Sequence, residues 1–515
     1  MPAGIGRSVI KFWSINVVGL VQDPVRFSNQ MVEFVRLNSE SKVARACVKG
    51  AHFVLSAMRI PGYETAEAGE LSRAIKQLEK ARFLRPLTFS FERYLRGKLL
   101  QLQSVECFEG AVERSGSAAA PRVLFHFTNA LPYTQSGYTL RSKALFKSLR
   151  ARGVEAFACT RYGYPENIGR FHHGPYFVND GLEYFVLGSL FAPFSITRQE
   201  DLAVRQLVRL AREKQVNILH TTTPYTNARV VARAAALLDV PWIYEVRGEP
   251  ESTWASQSPD PEKRRSSEFF ELARQAETAA MMAANQVIAL SEVSKEDLTR
   301  RGVPESKIKV VPNALEADQL ETHTDKAHAR KRLGLGDEFL IGAITSVVDY
   351  EGLDIAIAAM KEIPDATLII VGDGVARPGL EDLADELDLN DRVVFTGKQP
   401  ATDIHLWYAA LDVFVVPRRD VEVCRKVTPL KPLQAVACGV PVIGTDLPAL
   451  KEITGGLMVE VEPDNPSALA KSVDLVRQGE LIVNPRELEE WAKKRSWERN
   501  AHSLEGLYLE LLRGR

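Results

Sequence analysis

Cysteine is scarce in this chain, with five residues among 515. Cys47, Cys107, Cys159, Cys424 and Cys438 are odd in number, and no two stand in a Cys-x-x-Cys spacing. That argues against a disulfide framework or a zinc site and for a reducing cytosol. A long apolar run is also missing. The nearest, from Phe12 to about Val21, is interrupted by Ser14 and Asn16. It is too short and too broken to span a bilayer, and no small-residue cleavage site clearly follows it. An excess of either charge is absent too. With 65 Lys+Arg against 66 Asp+Glu the net charge is −1, so the protein is not a general nucleic-acid binder.

What is present is ordinary globular composition, 45% hydrophobic and 25% charged, over a length that predicts roughly two to four domains. Residues 1–120 read as helical. MVEFVRLNSESKVARACVKGAHFVLSAM and ELSRAIKQLEKARFLRPLTFSFERYLRGKLLQLQ place apolar residues three and four apart, with Pro61-Gly62 between them. This segment carries 17 Lys+Arg against 11 Asp+Glu. Its positive face is either solvated or a contact surface for an anionic membrane or partner. ERSGSAAAP reads as a linker ending at Pro121.

From Arg122 the texture changes. VLFHF, VEAFACT, NILHT, PWIYEVRG, QVIALS and IKVVPN are short β-rich runs alternating with helical segments such as LRSKALFKSLRARG and NARVVARAAALLD. A second series follows: FLIGAITSV, ATLIIVGDG, RVVFTG, DVFVVP and PVIGTD, again separated by helices. Strand–helix alternation marks parallel sheets with crossover helices. The expected fold is α/β, two Rossmann-like doubly wound domains facing a cleft, with ligands at the carboxyl ends of the strands. The expected divisions are 1–120 (N-terminal helices and linker), 121–315 (first α/β domain), 316–485 (second α/β domain) and 486–515 (a C-terminal helix crossing back to the first domain).

Several segments could carry chemistry. Gln135-Ser136-Gly137-Tyr138 is a glycine loop opening a helix, where backbone N–H groups can meet an anion. His220 ends the strand NILH. In YEVRGEPEST, Arg247 can hold a phosphate or carboxylate in a fork, and Glu245 and Glu251 can accept hydroxyls. Gly352 follows Asp349-Tyr350-Glu351, and Gly372 closes the strand ATLIIVGDG. Arg418, Arg419, Arg425, Lys426 and Lys431 cluster around the loop before LKPLQAVACG. Each has a purely structural alternative: a turn glycine, a strand-end histidine, an Arg–Glu pair, a solvated cation.

The order and spacing of LPYTQSGYTLRSKAL, TRYGYP, YEVRG, ALS, VVPN, DYEGLD, IIVGDG and VTPLKPLQAVACGVPVI resemble family 4 glycosyltransferases of the GT-B fold. Within them they are most similar to the exopolysaccharide and capsule branch. The resemblance covers about 121–515. It implies a retaining, metal-independent hexosyltransferase that uses a UDP- or GDP-sugar and a glycan or lipid-linked acceptor, with no cofactor. The absence of an Asp-x-Asp motif agrees with metal independence. It implies catalytic roles for His220, Arg247 and Glu251. It implies donor binding by Gly137, Ser346, Glu351, Gly352, Gly372, Arg418, Arg419, Lys426, Thr428, Pro429, Leu430, Lys431 and Gln434. Thr428, Pro429 and Leu430 would form the loop over the diphosphate. The chain departs from the broad family at four of these positions. Ser346 and Glu351 stand where an Arg and a Lys usually grip the diphosphate, and Lys426 and Gln434 stand where two glutamates usually contact sugar and ribose. Gln434 can still reach a ribose through its carbonyl oxygen. The departures keep open a non-catalytic GT-B subunit that binds glycan or partner proteins, and more remotely a sugar epimerase. The expected location is the cytosol, with the basic N-terminal region available to touch the inner face of a membrane.

Overall fold

The computed structural model describes residues 61–81, 85–108, 120–321, 324–400, 402–481 and 484–514. The helix expected within MVEFVRLNSESKVARACVKGAHFVLSAM, the apolar run near Phe12, and most of the linker lie outside these residues. The chain divides into two compact units. One runs through Ile288 and adds Arg301–Lys309 and Leu504–Arg515; the other takes Ala289–Arg300 and Val310–Ser503. No described helix is long and apolar enough to cross a membrane.

The first unit is built on eight strands: β1 (Arg122–Phe127), β2 (Glu155–Thr160), β3 (Tyr176–Asn179), β4 (Leu182–Val186), β5 (Ile218–Thr222), β6 (Trp242–Glu245), β7 (Gln286–Ala289) and β8 (Ile308–Val310). Their order is β3-β4-β2-β1-β5-β6-β7-β8. β1 pairs in parallel with β2 and β5, and β5 through β7 continue in parallel. β1, β5 and β6 are almost entirely buried, as expected of strands covered on both faces. β3 and β4 form an antiparallel hairpin that the strand–helix reading passes over. Its turn is Asp180-Gly181, with φ of 49° and 73°, the double left-handed geometry that an Asp-Gly pair favours in a two-residue hairpin.

Among the described residues three N-terminal helices, Tyr63–Glu67, Leu71–Lys80 and Arg85–Gln103, pack in this unit. In Leu71–Lys80 the buried residues are Leu71, Ala74, Ile75 and Leu78, one helical stripe. With Phe91, Leu95 and Leu102 of the helix Arg85–Gln103 they cluster against Tyr225, Ala273 and Ala276. Fully burying one such aliphatic or aromatic side chain is worth about 1.5–3 kcal/mol. The N-terminal helices are therefore part of the first unit's core; Arg73, Lys76, Lys80, Arg93 and Arg96 are exposed, while Lys98 lies over the Phe269 ring.

The second unit has six strands: β9 (Phe339–Ile344), β10 (Ala366–Val371), β11 (Val393–Gly397), β12 (Val413–Val416), β13 (Val442–Thr445) and β14 (Val459–Val461). They are ordered β11-β10-β9-β12-β13-β14, and the pairings are parallel. Alternate residues feed two cores. Ile341, Leu368, Ile370, Val413 and Val415 face one layer of helices. Leu340, Ile344, Ile369, Phe414 and Val442 face the other. Runs such as LIIV and VFVV are continuous because both faces are covered.

The C-terminal segment is not the single helix expected from 486. It forms two, Pro485–Lys494 and Trp497–Arg513. The break comes at Arg495-Ser496, where the chain pairs with Leu315: the Leu315 N–H donates to the Arg495 carbonyl (2.7 Å) and the Trp497 N–H to the Leu315 carbonyl (3.1 Å). A backbone group engaged this way is withdrawn from the helical ladder.

Candidate functional site

In the second unit the strand order reverses between β9 and β12. Crossovers leave these two strands toward opposite faces, which opens a crevice at their carboxyl ends. Thr345, Glu351, Leu353, Pro417, Pro429 and Lys431 line a pocket there. Two glycines hold its backbone close. Gly352 has φ of 68°, and a Cβ there would lie 1.9 Å from the Pro417 carbonyl oxygen. Gly372 has φ of 138°, and its Cβ would lie 1.8 Å from the Thr345 carbonyl oxygen. Neither position tolerates a side chain. Ser346 lies exposed just after β9.

Glu351 is buried and accepts from Arg418 through both oxygens, with Nη2 at 2.6 Å and Nε at 3.3 Å. Burial alone would raise the Glu351 carboxyl; Arg418 and then Lys431 outweigh it and hold the group below the usual carboxylate range. Lys431 donates to Thr345 Oγ1 at 2.7 Å, and its Nζ stands 3.7 Å from Glu351. Its side chain is still 31% exposed. Burial lowers its pKa, with Glu351 opposing. Lys431 is the second residue of the helix Leu430–Ala437, whose N-cap, Pro429, offers no side-chain acceptor. The first N–H groups of such a helix are unsatisfied within it. Thr428 is buried, accepts from Asn313 Nδ2 through its carbonyl (3.0 Å), and has no protein partner for Oγ1.

The other basic residues are committed to carboxylates. Arg419 pairs with Asp354 (2.6 Å) and Asp464 (2.7 Å). Lys426 pairs with Glu422 (2.6 Å) and Asp297 (3.0 Å), and Arg425 pairs with Asp420. The carbonyl oxygen of Gln434 accepts from the Tyr408 hydroxyl at 3.1 Å. The structure thus gathers Glu351, Gly352, Gly372, Arg418, Pro429 and Lys431 at one crevice. Arg419 and Lys426 are turned into surface ion pairs.

In the first unit Gly137 opens the helix Gly137–Ala151 behind the capping residue Ser136, whose hydroxyl accepts from Thr139 N. A Cβ at Gly137 would meet nothing within 4 Å. The helix begins three residues before the reading LRSKALFKSLRARG because Ser136 and Thr139 form a reciprocal capping box. His220 and Arg247 come together in a buried charge cluster. Glu245, fully buried, accepts from Arg141 Nε at 2.5 Å and Arg247 Nη2 at 3.0 Å. His220 Nε2 lies 3.5 Å from the same carboxylate, and its Nδ1 lies 2.9 Å from the Tyr508 hydroxyl. Burial opposes ionisation of Glu245, but Arg141 and Arg247 carry its pKa well below normal. Burial lowers the pKa of His220, with Glu245 opposing. Nothing in the sequence marks Arg141 as a candidate, because its partner is 104 residues away.

Glu251 is not part of this cluster. It is 2% exposed, with Oε1 at 3.4 Å from Arg301 and Oε2 without a protein partner. Nearby Glu277 accepts from Tyr225 N (2.7 Å) and the Tyr244 hydroxyl (2.5 Å). Burial, reinforced by Glu251, pushes its carboxyl up to about 8.

Two family models match in succession. "Glycosyl transferase 4-like domain" takes residues 136–314 and "Glycosyl transferases group 1" residues 338–478, together more than half of the 515. The chain belongs to the GT-B glycosyltransferases. Solved GT-B structures share this fold. Sucrose-phosphate synthase from Thermosynechococcus elongatus superposes with a TM-score of 0.62 at 20% identity, covering 76% of this chain and 99% of the other. Anabaena HepE in complex with UDP gives 0.58 at 17% identity, covering 75% and 99%. By sequence the GT-B chain is 31% identical over 196 residues to a GDP-mannose-dependent phosphatidylinositol monomannoside mannosyltransferase of Mycolicibacterium smegmatis, 36% of this chain and 49% of that protein. It is 32% identical over 158 residues to a lipopolysaccharide core mannosyltransferase of Rhizobium meliloti, 28% and 43% respectively. The chain spans about half the length of the curated relatives it matches.

Proposed function

We propose that this GT-B chain transfers a hexosyl group from a UDP- or GDP-linked sugar to a hydroxyl of a glycan or lipid-linked acceptor, in surface polysaccharide synthesis of the exopolysaccharide or capsule kind. The observation that carries the reading is the crevice at the β9/β12 reversal. There Arg418 and Glu351 neutralise each other, while Lys431 keeps a partly exposed ammonium beside an uncapped helix start. A cation beside the unsatisfied N–H groups of a helix start offers a site for an anion. In the proposed reaction they stabilise the diphosphate as it leaves, and the leaving phosphate itself takes the acceptor proton. The reaction retains anomeric configuration and needs no bound metal. His220 and Arg247 act as buried positioning groups through Glu245. The enzyme works in the cytosol, with its basic N-terminal region against the membrane's inner face.

A thermal-shift series with UDP, GDP, ADP and their sugars tests the reading. Binding to the folded state at a hundredfold excess over Kd stabilises by about 2.7 kcal/mol. One observation favours a rival, the non-catalytic subunit: Gln434, Arg419 and Lys426 already have protein partners. No stabilisation by any nucleotide would hand the argument to that rival.

A further inference from the structure

A cavity of about 850 Å³ in the first unit lies at the carboxyl edge of its sheet under the N-terminal helices. The N-terminal helices that supply Leu71, Phe91, Tyr94, Leu95 and Lys98 to its lining lie outside both matched family segments. The volume is that of a small-molecule site. Its lining has two characters. Leu71, Phe91 and Leu95 from the N-terminal helices face Trp254 and Phe269 to make an apolar stretch, edged on the same helices by Glu67, Lys98 and Gln101. At the strand ends the lining is polar: His126 on β1, Arg161 after β2, Asn227 after β5 and Glu251 after β6.

Two polar atoms in this lining are buried and have no protein partner, His126 Nε2 and Glu251 Oε2. Their residues are 1% and 2% exposed. Groups so placed are normally hydrogen-bonded, and each exception asks for a reason such as a ligand. Thr221 Oγ1 donates to the His126 carbonyl at 2.8 Å and faces its Nδ1 at 3.4 Å. Nδ1 is therefore the protonated nitrogen of a neutral ring, and Nε2 is left to accept from a ligand O–H. Burial, with Arg161 adding, keeps the ring neutral by pushing its pKa down to about 4. The Glu251 carboxyl, raised by burial, can exchange a hydrogen bond with a second hydroxyl.

We propose that this cavity binds the acceptor as an amphiphile, its apolar chain along the N-terminal helices and its hydroxyl-bearing head at His126 and Glu251. The proposal rests on the transferase reading and deepens it by naming the acceptor class. It also gives a role to Leu71, Phe91 and Leu95 of the N-terminal helices, whose apolar stretch distinguishes a lipid-linked acceptor from a free sugar.

The test is calorimetry on the full chain with n-octyl β-D-glucoside, kept below its micellar concentration, and with free glucose. Saturable binding of the octyl glucoside at least tenfold tighter than glucose is expected. Leu95→Trp, which fills the cavity, weakens it at least tenfold and leaves the dissociation constant of UDP or GDP unchanged. Ala66→Trp, at a half-buried lining position, serves if Leu95→Trp loses its cooperative thermal transition. Glu251→Gln weakens the octyl glucoside but not the nucleotide. Equal affinity for glucose and octyl glucoside, or octyl glucoside binding untouched in a folded cavity-filling variant, would overturn the proposal. A protein that binds octyl glucoside but no nucleotide keeps the cavity and loses the transferase reading; nucleotide binding without amphiphile binding does the reverse.

Discussion

Each α/β unit places an arginine–glutamate pair at a strand's carboxyl end, and the two pairs differ in how they are closed. In the first unit Glu245 is held between Arg141 and Arg247, with His220 behind it and Tyr508 behind the histidine. Every member of that chain is buried. In the second unit Glu351 and Arg418 make the corresponding pair, but the next cation, Lys431, reaches the surface. The same chemistry thus serves two ends. Closed on all sides, it fixes the strand ends beneath the loops. Open on one side, it leaves one partly exposed ammonium at the crevice, with its orientation set by Thr345 and Glu351.

The contrast is probed most severely at Glu245. Glu245→Ala leaves two buried guanidinium groups unbalanced, and breaking a buried pair costs about 3–5 kcal/mol. Chemical denaturation should show that loss with little direct effect on nucleotide affinity. The pH dependence has a definite sign. The folded pKa of Glu245 is depressed, so its contribution is complete above the unfolded glutamate value of about 4.3 and is lost as pH falls toward the folded value. Glu245→Gln should remove that part of the acid destabilisation. An acid profile identical to the parent's would show that the pair carries no such linkage.

Lys431→Ala probes the open end. It should weaken nucleotide binding by about 1.5–3 kcal/mol, the worth of a charge-assisted hydrogen bond, and change stability much less than Glu245→Ala. Arg300→Ala is the control, because Arg300 is exposed and reaches only Asp297 at 3.4 Å. Equal nucleotide affinity in the two variants would close the supposed opening. The smallest effect belongs to Gln434. Gln434→Glu should retain nucleotide affinity as a stronger acceptor. Gln434→Leu should lose about 1 kcal/mol of stability with the Tyr408 hydrogen bond and lose nucleotide affinity as well. Unchanged affinity in folded Gln434→Leu would assign the residue to packing against Tyr408 alone.

The parts of this molecule that can be read from sequence are those with local causes. VLFHF and DVFVVP lie in continuous sheets and appear as strands because apolar, β-branched runs have few other uses. The Asp180-Gly181 hairpin carries an equally local signal, but the strand–helix rhythm around it masks it by suggesting parallel pairing throughout. Candidate residues in one loop are visible as a basic cluster, but their partners are not. Arg418 meets Glu351 across 67 residues, and no sequence period distinguishes it from Arg419, which turns instead to Asp354 and Asp464. The N-terminal helices show the same limit. Their charges suggest a solvated face, while the stripe Leu71, Ala74, Ile75 and Leu78 finds its cover on helices some 150 to 200 residues further along.

The Tyr508–His220 contact joins positions 288 residues apart within the first unit. That unit is discontinuous, taking residues through Ile288 and again from Leu504, whereas Val310–Ser503 forms one uninterrupted stretch of the second. During vectorial synthesis the ribosome therefore delivers nearly all of the first unit early but withholds its final helical turns. At roughly 5–20 residues per second, the His220 ring waits for its hydroxyl partner through the whole translation of the second unit. The unit that emerges first is the last to be finished.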